Sequence, residues 1–380
     1  MKVPLFRPKL GKEELSNLKK VFKTGWVGAG PLTQELEARF AKTIGAKYAI
    51  GVTSCTAALH IALQALGIKE GDEVLVPAIT VVSTPYAALY NRAKPVFVDV
   101  EKDTLCIDLK DLEKKITKRS KAIIPVHLGG HSADMNAILK IAKKYNLYVV
   151  EDCANAQGAL YKGKPVGSFG DIGCFSFEAK KNMTTGDGGM LVTDDEKLAA
   201  KLKALRWYGS FSDTWKRFAG NAKYSWHYDV SELGWKYNMN DIMAAIGLAQ
   251  FEKLPKVLKA KDKLRSKYNQ ALKNISWLET PKDRPYTKSG WWLYVVRIKN
   301  GMRDKFMEHM AENGITTSVH FPPVYQHSYF SGKGGKKIGI AANCQVAESV
   351  AKEIVSLPLF GSMNKKEFDC VVKTIRAFNY

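Results

Sequence analysis

The sequence predicts an α/β protein with one large, mostly parallel seven-stranded sheet, followed by a smaller C-terminal α/β unit. Three observations carry that expectation. The first two-thirds of the 380 residues alternates short β-branched runs with helix-patterned stretches, the signature of successive βαβ units. Polar clusters sit directly after three of those runs, where open α/β sheets place their ligands. Near Asp241 the alternation gives way to a long helical pattern, and the chain is longer than the ~250 to 300 residues at which single cores stop growing.

Taken in order, strands are expected over residues 47–52, 73–77, 95–100, 122–126, 147–151, 173–177 and 190–193, each a short apolar run. Helices fill the intervals, among them 56–66, 135–145 and 196–206. From 241 to 271 a long helix is expected, broken or bent at Pro255 because proline removes a helical N–H. A strand over 291–298 anchors the smaller unit, and the glycine-rich stretch 331–335 reads as a loop, with 333–337 too polar for a core. The division falls at 1–245, including an N-terminal arm, and 246–380.

Composition narrows the function classes. A hydrophobic content of 46% with 25% charged residues is that of a folded globular chain and excludes a disordered one. The stretch 1–10 is interrupted by prolines and charges, so it lacks a signal-peptide core, and no later apolar run reaches the ~18 residues of a membrane span. The expected location is the cytoplasm. Six cysteines, at 55, 106, 153, 174, 344 and 370, form no CxxC pair, which suits reduced structural thiols and no metal site. The net charge of +21 is spread along the chain instead of gathered with arginine and aromatics on one element, which points to an anionic small substrate, with neither nucleic acid nor membrane as partner.

Chemistry concentrates at the three strand ends. Thr53-Ser-Cys-Thr-Ala57 opens a helix and offers hydroxyls and free backbone N–H groups, either as a plain cap or as a phosphate cup. Asp152 ends an apolar strand, where an unpaired carboxylate is costly, so it faces a cation. The strand ending near Phe177 leads into Glu178-Ala-Lys-Lys-Asn182 and the turn Gly186-Asp-Gly-Gly189. A Lys-Lys pair there is either a solvated turn or the site of an amine that desolvation makes neutral and nucleophilic, with Lys180 or Lys181 as the candidate. A phosphate cup, a buried carboxylate and an amine at three neighbouring strand ends together specify pyridoxal 5'-phosphate among common cofactors. Gly25-Trp-Val-Gly-Ala-Gly30 follows no strand and has the wrong spacing for a dinucleotide fingerprint.

These stretches, with Thr24-Gly-Trp-Val-Gly-Ala-Gly-Pro31, Gly71-Asp-Glu-Val74, Pro125-Val-His-Leu-Gly129, Glu151-Asp-Cys-Ala154 and Gly234-Trp-Lys-Tyr-Asn238, resemble the sugar aminotransferases of the DegT/DnrJ/StrS group, in the type I aminotransferase fold. The likeness covers nearly the whole chain. It implies Lys181 as the Schiff-base lysine, since the family pattern is Ser, four residues, then Lys-Asn, and it leaves Lys180 as a neighbour. It further implies Ser54, Thr56, the backbone of Ala57 and Ser176 around the phosphate, and Asp152 against the pyridinium nitrogen. Asn238 would reach the cofactor of a second subunit, which makes the protein a homodimer with shared active sites. Val81 stands where the family commonly stacks an aromatic ring on the cofactor, and Asn155 where Gln or His usually bonds the ring hydroxyl. His127, His320 and Tyr325 lie in segments that line the substrate side of similar proteins, of which His320 and Tyr325 are the substrate candidates.

The expected activity is therefore amino transfer, from L-glutamate, to a nucleotide-linked 4-keto- or 3-keto-6-deoxy sugar in deoxyamino sugar biosynthesis. The alternatives are a keto-cyclitol or other non-nucleotide sugar as acceptor, a related sugar dehydratase, and a non-catalytic ligand sensor. The dehydratase branch replaces the lysine by histidine, which Lys181 argues against. A sensor would lose the lysine or aspartate, or add a DNA-binding domain.

Overall fold

In the computed structural model, which describes residues 1–210, 229–332 and 342–378, the seven expected strands join in one sheet. They are β1 (Tyr48–Val52), β2 (Glu73–Pro77), β3 (Lys94–Val98), β4 (Ser120–Ile123), β5 (Tyr148–Asp152), β6 (Ile172–Ser176) and β7 (Gly189–Thr193), in the order β1-β7-β6-β5-β4-β2-β3. β7 runs antiparallel to both neighbours, and every other pairing is parallel. Successive residues serve opposite faces: Val74 and Val76 join one core cluster with Leu59 and Leu63, whereas Leu75 joins another with Leu36 and Phe40. Both faces are thus covered, which is why β2 and β6 are buried along their whole length.

Helices of this part include α1 (Lys12–Thr24), α2 (Pro31–Ile44), α3 (Cys55–Ala65), α4 (Ser83–Tyr90), α5 (Met135–Tyr145), α6 (Glu196–Leu205) and α7 (Asp241–Leu272). Ser54, Asp134, Asp195 and Asn240 each cap the helix that follows by accepting a backbone N–H. α7 differs from expectation, for it runs unbroken through Pro255. Both sides of the proline are held: Asn17 donates to Ala245 O and Glu14 accepts from Gln250 and Lys253, while farther on Lys261 bonds Asn182. Packing of this kind outweighs the one helical hydrogen bond a proline removes. The division expected at 245/246 falls within the first two turns of α7.

Beyond α7, β8 (Leu278–Glu279), β9 (Tyr294–Ile298) and β10 (Ile354–Leu357) form an antiparallel sheet, with α8 (Arg303–Glu312) and α9 (Lys365–Arg376). A third core cluster fills this part and is joined by Val3 of the N-terminal segment. The strand expected from 291 begins at Tyr294, because Trp291 takes a positive φ of 45° and turns the chain before pairing starts. Of the loop expected over 331–335, everything after Gly332 lies outside the described residues, as does 333–337. No helix among the described residues is long and apolar enough to cross a membrane. The six cysteines are unpaired, and five of them are buried.

Candidate active site

The site grows from the start of α3. Ser54 Oγ accepts the N–H of Ala57 at 3.0 Å, leaving the N–H groups of Cys55 and Thr56 without an intrahelical partner at the positive end of the helix. Thr56 Oγ1 donates to Ser83 Oγ at 2.8 Å. Ser176 enters from β6, paired with Gly189 of β7. A Cβ at Gly189 would lie 2.5 Å from the carbonyl carbon of Ser54, so only glycine lets β7 press against this helix start. The turn and the hydroxyl-rich cap are therefore parts of one construction.

Asp152, at the end of β5, is 4% exposed. Its Oδ2 accepts from Thr84 Oγ1 at 2.8 Å, itself bonded to Thr80, and its Oδ1 accepts from the N–H of Ala154 at 3.1 Å. Burial raises its pKa against those two bonds, and no basic side chain pairs with it among the described residues. A buried carboxylate held by two neutral donors still has capacity for a cationic partner.

Lys181 sits in the turn between β6 and β7, its N–H donating to Glu178 O at 2.9 Å. Gln157 pins both ends of this turn, donating to Ser176 O at 2.6 Å and accepting from the N–H of Met183 at 2.7 Å. Asn182 donates to Gly290 O at 2.7 Å and accepts from Lys261 Nζ at 2.8 Å. Burial pushes the Lys181 amine down to about 8, against the pull of Cys55, Glu178 and Asp152 and with a small push from Lys180. Its Nζ lies 3.6 Å from the ring centroid of Trp292. Lys261 is buried and pushed down to about 7, first by desolvation and then by Lys181.

Of the residues expected from the sequence, all but Ala57, His127, Asn238 and Tyr325 line one cleft of about 410 Å³. Ala57 contributes only the N–H that Ser54 caps. Asn238 borders a different cleft, near Tyr48 and Trp207, with its Nδ2 on Met239 O. Tyr325 is packed on Phe97 in the core and donates to Glu348 at 2.7 Å, away from the lysine. His320 is in the cleft with Nδ1 2.9 Å from Ser356 Oγ, its pKa lowered to about 4 by burial and then by Lys181, so it is neutral at pH 7. Asn155 Oδ1 accepts from the N–H of Gly129 at 3.3 Å, and Val81 is partly exposed in the opening.

His127 proves structural. Its Nδ1 accepts the N–H of Ala133, so its Nε2 carries the hydrogen that goes to Glu151 at 3.0 Å. Glu151 also takes N–H groups from Gly167, Phe169 and Gly170. Both ring nitrogens of His127 and both carboxylate oxygens of Glu151 are thus engaged in holding the fold. Gln157, Thr84, Trp292 and Lys261 were missed in the sequence. Thr84 was within reach, because it stands in the same 77–84 stretch as Val81; the others carry no local signal.

The donor set fits the cofactor that the motifs imply: free helix N–H groups and hydroxyls for a phosphate, a buried carboxylate without a paired basic side chain for a ring nitrogen, and a partly neutral amine for a carbonyl. Comparison with known proteins agrees. The model of the DegT/DnrJ/EryC1/StrS aminotransferase family matches residues 8–376. The spore coat polysaccharide biosynthesis protein SpsC of Bacillus subtilis is 41% identical over 379 residues, 98% of this chain and 96% of its own. Among solved structures, the sugar aminotransferase CalS13 from Micromonospora echinospora superposes with a TM-score of 0.89 at 30% identity, covering 99% of each chain. Spr1654 of Streptococcus pneumoniae, in its PLP form, does so with a TM-score of 0.89 at 29% identity over 99% of this chain and 98% of that one, and its PMP form is similarly close.

Proposed function

We propose that this chain, which belongs to the DegT/DnrJ/EryC1/StrS aminotransferase family, moves an amino group from L-glutamate to the keto carbon of a nucleotide-linked deoxy sugar, with pyridoxal 5'-phosphate held at Lys181. The observation that carries this reading is the meeting of Lys181, its amine pushed down to about 8, with the buried Asp152 and the hydroxyl-rich start of α3 in one cleft.

When bound, the cofactor supplies an electron sink for the charge left when a proton departs from the amino donor. Asp152 would oppose the positive charge of the ring nitrogen, its carboxylate held in place by Thr84 on Oδ2 and the N–H of Ala154 on Oδ1. Ser54, Thr56, Ser176 and the first N–H groups of α3 take the phosphate. Lys181, about half neutral at pH 8, accepts the proton from the donor carbon and returns it to the acceptor. Asn155 holds its amide toward Gly129 and the cleft, and Val81 offers aliphatic contact to a ring. Lys180, exposed at the rim, suits the diphosphate of a nucleotide sugar. The position of Asn238 outside its own chain's cleft supports a homodimer in which it serves the second copy. The third core cluster supports reading 246–380 as a smaller second unit.

The test is the visible absorption spectrum of the purified protein and of Lys181→Ala, with and without L-glutamate and no sugar. The wild type should show a band from lysine-bound cofactor that glutamate converts to the aminated form, and the variant should show neither. A wild type that binds no pyridoxal phosphate, or a variant that behaves like it, overturns the reading.

A further inference from the structure

The aromatic group against Lys181 comes from outside the large sheet. Trp292 is 4% exposed and is tied to the lysine turn at two points: its ring centroid is 3.6 Å from Lys181 Nζ, and its Nε1 donates to Lys180 O at 3.0 Å. Phe6 stacks on Trp292 with centroids 5.6 Å apart and 11° between planes, and His320 meets both rings edge-on. Phe6 is itself fastened on either side. The N–H of Val3 donates to Gly314 O and that of Leu359 to Leu5 O, while Arg7 pairs with Glu367 at 2.7 Å.

We propose that Trp292 holds the Lys181 amine in place whenever that lysine is not bonded elsewhere, and that Phe6 of the N-terminal segment is the positioning residue that sets the Trp292 ring. The inference rests on the reading of Lys181 as the reacting lysine. A transaminating lysine is free of the cofactor for half of each cycle, and a four-carbon stem without a resting partner samples many rotamers. The face of an indole attracts an ammonium, most strongly where water is excluded. The arrangement therefore stores the charged amine beside the place where it must act.

The other groups facing Lys181 are Cys55 from α3, Asp152 from β5, Glu178 and Lys180 from its own turn, His320 ahead of β10, and Lys261 from α7. Burial dominates and pushes the amine down. Trp292 acts in the opposite sense, favouring the charged form, so removing its face lowers the Lys181 pKa further.

The test uses cofactor-free protein and a small acylating reagent, with labelling of the Lys181 peptide followed by mass spectrometry between pH 6 and 10. In Trp292→Leu the apparent pKa of Lys181 should fall by about one unit, read as roughly tenfold faster labelling on the acid side. Trp292→Phe and Phe6→Ala should move it in the same direction by less, and they carry the test if the leucine variant does not fold. A purely structural role would lower the thermal midpoint and leave the titration unmoved; that result, or a rise from water entering the site, overturns the proposal. Borohydride reduction of the cofactor-loaded wild type is the separate check on the underlying reading. A mark on a residue other than Lys181 defeats that reading without altering what the titration says about Trp292.

Discussion

The two sides of the cleft are made by different rules. The sheet side carries its groups at the ends of strands: Ser54 beyond β1, Asp152 on β5, Ser176 on β6 and Lys181 in the turn to β7. Each occupies a place that strand topology alone assigns to ligands. The C-terminal side supplies Trp292 from the turn before β9 and His320 from a segment before β10, with Lys261 from the middle of α7 behind the lysine turn, bonded to Asn182. None of these follows a strand of the large sheet. The sheet side holds charges ready for chemistry, and the C-terminal side sets the surroundings in which Lys181 carries its own.

If that division is right, the largest losses come from the sheet side. Asp152→Asn keeps the shape and its bond from Ala154 but removes the charge opposite the ring nitrogen. Turnover should drop on the order of 10²-fold or more, with the cofactor still attached to Lys181, checked by single-turnover kinetics with glutamate. An equal drop in Lys261→Met would erase the distinction between the two sides. Gly189→Ala should cost stability instead of chemistry directly, about 1–3 kcal/mol, because the new methyl meets the Ser54 and Cys55 backbone. Chemical unfolding measures it, and an unchanged midpoint would mean that β7 and α3 can part without penalty.

The same contrast explains what was legible. The seven strands stand within three residues of their expected ends because short apolar runs between turn signals leave few alternatives. Lys181, Asp152 and the α3 cap followed from strand ends and a family pattern. Trp292 and Lys261 did not, since they reach Lys181 and Asn182 respectively from more than 75 residues away in sequence through packing that no local periodicity encodes. Pro255 shows the same limit, for local chemistry predicts a break and tertiary contacts on both sides keep α7 whole. Tyr325 shows the opposite case, a functional-looking hydroxyl that donates to Glu348 from a ring packed in the core.

Lys261→Met sharpens the comparison through pH. Lys261 has a folded pKa near 7, well below its ordinary value near 10.4, so between those limits the unfolded chain binds more protons than the folded one. Wild-type stability should therefore rise with pH across that window, as the penalty for an uncharged buried amine fades. The methionine variant lacks this contribution, so its thermal midpoint should compare best with wild type at pH 6 to 7 and lose ground toward pH 9.5. A difference that does not vary with pH would mean that Lys261 is charged throughout, and that the C-terminal side does not set the state of the lysines.

The smallest effect is expected at Val81, 36% exposed at the opening of the cleft. Val81→Trp adds an aromatic face without touching Lys181, Asp152 or the α3 cap, so the variant should still bind pyridoxal phosphate, with the absorption band intact and affinity within about tenfold of wild type. Complete loss of cofactor would place the ring elsewhere than beside Val81. Retention would show that the sheet side fixes the cofactor by its charges and hydroxyls, with the stacking residue free to vary between aromatic and aliphatic.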